Sequence, residues 1–368
     1  MRGNNFRMLD SLDSVTVVTG TAAFLDEKRV EVTAGDDRLE ITADTIVINT
    51  GAVNAIPDIP GLRSSSRLLN GTDLIASPDL PRRVAVIGGG YQGIEFAAML
   101  ARYGTEVTAL EKGDRILARE DDDVAAEATK ILTGEGVAFV TGARITRVDD
   151  ATVHYDAGGV SHTLAADALL SAAGRTPDTS GLRLAAAGVE TTAHGAIRVD
   201  EHLRSSRPHI YAIGDVNGGP QFTYISLDDY RIVLDQVTGA GRRSTADRVA
   251  VPYTLFMTPP LARVGLTEAQ ARAAGHEVRV AAKSIAASAA IPRVRIVEEI
   301  RGLMKFVIDA ATDEILGAAL LCVDSQELIN TVALAMRTGT TATTLRDAIY
   351  THPSTTEGFN EVLGTIVR

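Results

Sequence analysis

The 368 residues contain a single cysteine, Cys322, and no tryptophan. One thiol excludes an intrachain disulfide and any metal centre built from clustered cysteines. Its setting, Ala318-Ala-Leu-Leu-Cys322-Val, is that of a small buried side chain rather than a reactive one. Cationic charge is also scarce: 36 lysines and arginines stand against 47 aspartates and glutamates, a formal net charge of -11. Nucleic acid and anionic membrane surfaces need a cationic face, so neither is expected as a partner. Long apolar runs are missing too. The longest, 315–323, is too short to cross a bilayer, and the N-terminus lacks the charged, apolar and cleavage regions of a secretory signal. A cytoplasmic location is expected. What the chain does have is length and 45% hydrophobic residues, enough to bury the cores of two or three domains.

The most informative stretch is Val84-Ala-Val-Ile-Gly-Gly-Gly-Tyr-Gln-Gly-Ile-Glu95. An apolar run at 84–87 predicts a strand that enters Gly88-x-Gly90-x-x-Gly93. A helical stretch to Tyr103, a turn at Gly104 and a second strand at 106–110 follow, and Glu111 closes the unit. In such a unit Gly88 permits the tight turn, Gly90 lets the backbone approach a pyrophosphate and Gly93 allows the helix to pack closely on the strand. The helix start at Tyr91 and Gln92 offers free N–H groups to phosphate oxygens. Glu111 follows Gly93 by 18 positions, where a carboxylate accepts both hydroxyls of a ribose. That carboxylate would repel the additional phosphate of NADP, so NADH is expected ahead of NADPH. Its neighbour Lys112 is the one feature favouring NADPH. Gly88, Gly89, Gly90, Tyr91, Gln92, Gly93, Glu95 and Glu111 are thus candidate nucleotide-binding residues.

This fingerprint lies far inside the chain, and an internal repeat bears on its position. Ala43-Asp-Thr-Ile-Val-Ile-Asn-Thr-Gly51 matches Ala166-Asp-Ala-Leu-Leu-Ser-Ala-Ala-Gly174. Short alternating strands precede each copy: 15–18, 29–33 and 38–42 before the first, 145–148, 152–155 and 160–164 before the second. Gly88 precedes Asp167 by 79 positions, and the same count back from Asp44 falls ahead of Met1. Copies of equal length would therefore place a first fingerprint upstream of this sequence.

Further along, the acidic run Glu120-Asp-Asp-Asp123 looks like the solvated, dipole-complementing start of the next helix. An extended segment is expected near 197–199. A strand at 209–214 ends at Asp215, the position where open α/β sheets bind ligands, although a turn or N-cap aspartate fits the spacing equally well, and a helix at 225–237 and a linker at 239–243 follow. From 249 the order changes to strands at 253–257 and 261–264, a helix opened by the capping box Thr267-Glu-Ala-Gln270, strands at 278–281, 303–309 and 315–322, and a helix at 325–337. The final motif is Tyr350-Thr-His352-Pro-Ser-Thr-Thr-Glu357. Proline keeps His352 out of the helical region, and Glu357 could orient the imidazole for proton transfer. Ser354-Thr-Thr-Glu357 is equally a capping box, in which Glu357 only satisfies backbone N–H groups.

Taken together these residues resemble the pyridine nucleotide-disulfide oxidoreductases of the glutathione reductase and mercuric reductase type. The resemblance runs through the fingerprint, Ala173-Gly-Arg-Thr-Pro177, Tyr211-Ala-Ile-Gly-Asp215, Thr258-Pro-Pro260 with Val264-Gly-Leu-Thr-Glu268, and His352-Pro to Glu357. Within that family Gln221-Phe-Thr-Tyr-Ile-Ser-Leu-Asp-Asp-Tyr-Arg231, Ala290-Ile-Pro-Arg-Val-Arg295 and Leu321-Cys-Val-Asp-Ser325 are most similar to the bacterial reactive-chlorine-resistance flavoenzymes, which reduce hypothiocyanous acid.

The resemblance implies an α/β chain with two Rossmann-like FAD/NAD(P)-binding domains, the first incomplete, and a C-terminal α+β dimerisation domain. The expected limits are 1–75 with 201–248 for the FAD domain, 76–200 for the NAD domain and 249–368 for the dimerisation domain. It implies FAD held by Asp215, with Thr223 facing the flavin ring and Thr50 and Gly51 near the cofactor, and Gly174 lining the nicotinamide site. It implies a homodimer in which His352, oriented by Glu357, serves as acid-base in the partner's site, a small-molecule oxidant as substrate and a role in redox homeostasis. One departure stands out. The family's first fingerprint and its Cys-x-x-x-x-Cys pair are not in this sequence, which is expected to begin partway into the FAD domain. Two other readings follow: a non-catalytic, NADH-binding dimeric module, and a flavin-only NADH oxidase or diaphorase.

Overall fold

The computed structural model describes residues 2–365, and the chain divides into two compact units. One contains the residues up to Val53 with Arg175–Arg248; the other contains Asn54–Gly174 with Val249–Arg368.

The second unit is built around a five-stranded parallel sheet in the order Leu68–Leu69, Ala168–Ser171, Arg83–Ile87, Glu106–Leu110 and Val137–Val140. Parallel strands are covered on both faces, so they read as continuous apolar runs. Val84, Ala85, Val86 and Ile87 accordingly all sit in the core. The helix Tyr91–Arg102 returns the chain to Glu106–Leu110, burying Ile94, Ala97, Ala98 and Leu100 at helical spacing. Arg83–Ile87 is flanked on one side by Ala168–Ser171 and on the other by Glu106–Leu110. The chain runs from Arg83–Ile87 outward through Glu106–Leu110 to Val137–Val140 and then returns to Ala168–Ser171 on the other side, and ligands bind at such a switch point, beyond the carboxyl ends of the strands. The same unit carries a five-stranded antiparallel sheet in the order Tyr253–Leu255, Leu261–Gly265, Ile315–Leu321, Leu303–Asp309 and Val278–Ser284. The helix Ser325–Arg337 packs on it through Leu328, Ile329, Val332 and Ala333.

The internal repeat is structural. Thr21–Phe24, Arg29–Ala34 and Asp37–Thr42 form a three-stranded antiparallel meander in the first unit, and Arg144–Asp149, Thr152–Ala157 and Val160–Ala165 form its counterpart in the second. Each leads into a parallel strand: Ile46–Ile48 pairs with Ile210–Ala212, and Ala168–Ser171 with Arg83–Ile87. The strand expected at 15–18 does not form, and the first meander opens at Thr21–Phe24 instead. Valine and threonine favour strands only when a neighbouring strand accepts them. Ala23 and Phe24 find one and are buried, whereas Val15 and Val18 remain largely exposed. The segment expected at 197–199 contributes only an isolated bridge between Thr191 and Ile197. No helix among the described residues is long and apolar enough to cross a membrane.

Candidate functional site

The glycine turn after Arg83–Ile87 has the backbone its sequence demands. Gly88 lies at φ +113°, and a Cβ there would meet the Ala172 carbonyl oxygen at 2.6 Å. A Cβ on Gly93 would lie 2.1 Å from the Gly88 carbonyl oxygen, so helix and strand approach more closely than any side chain permits. Gly90 differs: nothing lies within 4 Å of its would-be Cβ, and it caps the helix Tyr91–Arg102 without a side-chain hydrogen bond. The first-turn N–H groups of this helix have no side-chain cap, and uncapped helix N–H groups are those an oxyanion accepts from. Glu111, at the end of Glu106–Leu110, reaches back across this turn. Its Oε2 accepts the Gly89 N–H at 2.6 Å and its Oε1 the Gly113 N–H at 2.7 Å. Gly174, at φ +123°, follows the neighbouring strand Ala168–Ser171, and its carbonyl accepts the Ala55 N–H.

Two fingerprint side chains turn toward the C-terminal sheet. Glu95 Oε1 accepts the Phe256 N–H at 2.9 Å, and burial raises the carboxyl pKa above its ordinary value. Tyr91 and Tyr253 each place a hydroxyl on Glu120 Oε1, at 2.9 and 2.8 Å, with the hydroxyls 2.9 Å apart. Arg263 Nη1 donates to Glu120 Oε2 at 2.8 Å and to Asp121 Oδ2 at 3.3 Å. Burial and the Glu120 carboxylate push the Tyr91 phenol up to about 12. The expectation of a solvated run at 120–123 is therefore corrected in half: Glu120 and Asp121 are 2% and 8% exposed, ion-paired with Arg263 and, for Asp121, also with Lys305. Asp122 and Asp123 are exposed, Asp123 pairing with Lys305. Dipole complementarity at the helix start Asp122–Gly134 is satisfied by outward carboxylates, while the two preceding ones are drawn inward by buried cations.

In the first unit, Asp215 follows the strand Ile210–Ala212 and lies 3.4 Å from Arg175 Nη2. Thr50 Oγ1 donates to the Asp178 carbonyl at 2.7 Å, while the Gly51 carbonyl accepts the Asp178 N–H at 2.9 Å. Thr223 is the first residue of the helix Thr223–Thr238, which has no side-chain cap.

His352 Nδ1 lies 2.9 Å from Glu357 Oε1. Glu357 Oε2 meanwhile accepts the Ser354 N–H at 2.9 Å, and Ser354 Oγ accepts the Glu357 N–H at 3.4 Å. The orienting carboxylate and the capping box, alternatives in the sequence, coexist because each carboxylate oxygen serves one of them. The Ser354 N–H, and then His352, hold the Glu357 carboxyl below its usual range. The imidazole itself remains 72% exposed.

Comparison with known proteins identifies the family. A family model described as pyridine nucleotide-disulphide oxidoreductase matches residues 2–229, and one described as the dimerisation domain of that family matches 251–363. This chain belongs to the pyridine nucleotide-disulphide oxidoreductase family. By family it is a flavoprotein oxidoreductase that uses a pyridine nucleotide. It is 43% identical over 366 residues to the probable pyridine nucleotide-disulfide oxidoreductase RclA of Escherichia coli (strain K12), covering 100% of this chain and 82% of that protein. It is 35% identical to a mercuric reductase of Bacillus cereus, covering 93% of this chain and 53% of that protein. The solved structure described as HOCl-induced flavoprotein disulfide reductase RclA from E. coli superposes with a TM-score of 0.93 at 42% identity, covering 100% of this chain and 83% of that one.

Several residues of this family member escaped the sequence reading. Asp229 is wholly buried, accepts the Gly214 N–H at 2.7 Å and the Asn217 amide at 3.1 Å, and is ion-paired with Arg248. It thereby fixes the backbone immediately before Asp215. Arg263, 2% exposed, sits in the otherwise apolar strand Leu261–Gly265. A charge at an inward position of such a strand was the available signal, because a buried cation requires a partner.

Proposed function

We propose that this chain binds NADH at the Gly88–Glu111 turn and passes its electrons to FAD, and that the associated oxidants are reactive chlorine or sulfur compounds such as hypothiocyanous acid. The observation that carries the nucleotide assignment is Glu111 pinned across the glycine turn by the N–H groups of Gly89 and Gly113. Each of its oxygens keeps a lone pair for a ribose hydroxyl, and its charge disfavours a 2′-phosphate. The turn itself fits a dinucleotide: open space above Gly90, uncapped helix N–H groups and a tight contact at Gly93 where no ligand is needed.

FAD, when bound, supplies the two-electron acceptor for hydride. Asp215 would hold its ribityl chain, the backbone at Thr223 would face the ring, and Thr50 with Gly51 would line the near side. Gly174 would border the nicotinamide. These 368 residues contain no second fingerprint for the FAD pyrophosphate, so that part of the cofactor is not assigned to residues of this chain. His352 is the acid-base group in a homodimer, acting across the interface formed by 249–368, with Glu357 orienting its imidazole.

A second reading rests on the thiol inventory. Cys322 is fully buried and its pKa is raised by burial and then by Asp324, so it is neither nucleophile nor redox partner. With no other cysteine in the sequence, flavin-only NADH oxidase or diaphorase activity is the form of turnover these residues alone support. One experiment addresses both readings. The purified chain, supplied with FAD under anaerobic conditions, is mixed with NADH and then with either a dye or hypothiocyanous acid. Loss of flavin absorbance on NADH addition supports electron transfer, and dye reduction without hypothiocyanous acid reduction selects the diaphorase reading. An unchanged flavin spectrum would refute both.

A further inference from the structure

The motifs Ala290–Arg295 and Leu321–Ser325 have no part in the chemistry assigned above, yet both converge on the turn that carries His352. Asp324 stands between the strand Ile315–Leu321 and the helix Ser325–Arg337, in a left-handed backbone conformation at φ 63°. Its Oδ2 accepts the Thr355 hydroxyl at 2.8 Å and lies 3.4 Å from Arg293 Nε. Thr355 is 3% exposed and sits between His352 and Glu357 in the chain, so this hydrogen bond anchors the middle of the turn. The other side of the turn is held by the same 290–295 segment. A Cβ on Gly358 would meet Ile291 Cδ1 at 2.7 Å, and Glu361, one turn later, accepts the Ala290 N–H at 3.0 Å and pairs with Lys283 and Ser288.

We infer that Asp324, with Thr355 and the counter-ion Arg293, is a positioning element that sets the His352–Glu357 geometry. None of the three needs to meet substrate. The capping box alone fixes Glu357 relative to Ser354, but it leaves the turn free to pivot about its ends. An anchor at Thr355 removes that freedom, because a buried hydroxyl–carboxylate bond is costly to leave unmade. The charged groups around this turn are Glu357 beside the imidazole, Asp324 and Arg293 beneath Thr355, and Glu361 on the following helix with Lys283 of the strand Val278–Ser284. Of these Glu357 is the one hydrogen-bonded to His352, so the state of the imidazole Nδ1 reports whether that contact is held. The inference rests on the reading of His352 as acid-base, but its test does not.

The test follows the His352 imidazole by NMR in the full chain, through its Nδ1 chemical shift, for the wild type, Thr355→Val, Asp324→Ala, Asp324→Asn and Glu357→Gln. Thr355→Val and Asp324→Ala are expected to move the Nδ1 shift toward that of Glu357→Gln, in which the charged acceptor is gone. Asp324→Asn retains an acceptor oxygen for Thr355 and tolerates the left-handed backbone, so its Nδ1 shift stays near wild type. Thr355→Val is nearly isosteric, which keeps the test valid where Asp324→Ala fails to fold. Wild-type Nδ1 shifts in both Thr355→Val and Asp324→Ala would overturn the inference. Unimpaired NADH-driven turnover in His352→Gln would instead remove the acid-base assignment and leave the NMR result standing.

Discussion

Glu111 and Gly89 face each other across the nucleotide turn, the carboxylate accepting the glycine N–H at 2.6 Å. A side chain at the end of one strand is thereby fixed against the turn that ends its neighbour. Glu111→Ala should weaken NADH binding by about 1–3 kcal/mol, the range for hydrogen bonds to a charged group. Calorimetric titration measures this directly, and an unchanged dissociation constant would remove the ribose role. Glu111→Gln should narrow the preference for NADH over NADPH, since the repulsive charge is gone while the acceptor oxygen remains.

Gly90 and Gly93 should behave oppositely when replaced by alanine. The Gly90 Cβ enters open space, so Gly90→Ala should keep the wild-type melting temperature and lose NADH binding, as followed by nucleotide fluorescence. The Gly93 Cβ meets the Gly88 carbonyl oxygen at 2.1 Å, so Gly93→Ala should lower the melting temperature as well. A Gly90→Ala chain that binds NADH normally would show that no phosphate approaches that backbone.

The Glu120–Arg263 pair joins the segment that leads into the helix Asp122–Gly134 to the C-terminal sheet, with both partners out of water. Removing one member of a buried pair strands the other, so Glu120→Ala should cost about 3 kcal/mol, the low end of that effect because Asp121 still reaches Arg263. Tyr253→Phe removes one hydroxyl and should cost about 1 kcal/mol. Denaturant unfolding followed at a probe in 54–174 or 249–368 measures both. Equal stabilities for wild type and Glu120→Ala would contradict the buried-pair account.

Acid should remove one identifiable contribution. His276, followed by the Thr312 and Ala311 N–H groups, holds the Asp309 carboxyl down to about 2. A carboxylate with a depressed folded-state pKa stabilises the fold above its unfolded value, about 3.9, and that stability disappears as the pH falls through the folded value. The melting-temperature gap between wild type and Asp309→Asn should therefore be constant above about pH 5 and close between there and pH 2. A gap that is independent of pH across this range would assign the effect to packing instead.

What could be read from the sequence was what local stereochemistry dictates. The Gly88–Gly93 turn was legible because three glycines at that spacing answer to one backbone path, and the meanders because alternation survives without tertiary context. His352 and Glu357 are five positions apart and share one turn, so their contact was also within reach. Glu120 was misread because its partner Arg263 lies 143 positions away, and a run of four acids looks alike whether it faces solvent or a buried cation. Residues 15–18 have strand-forming side chains, but pairing partners are a property of the sheet, and the sheet begins at Thr21. The Thr355–Asp324 contact joins two motifs whose sequences carry no sign of each other.

The most direct test of the account is calorimetric titration of the full chain with NADH and, separately, NADPH, for the wild type and Gly90→Ala. The account predicts one NADH site per chain, weaker binding of NADPH, and loss of the NADH site in a Gly90→Ala chain that melts at the wild-type temperature. Absence of NADH binding to the wild type, or equal binding to both chains, would contradict it.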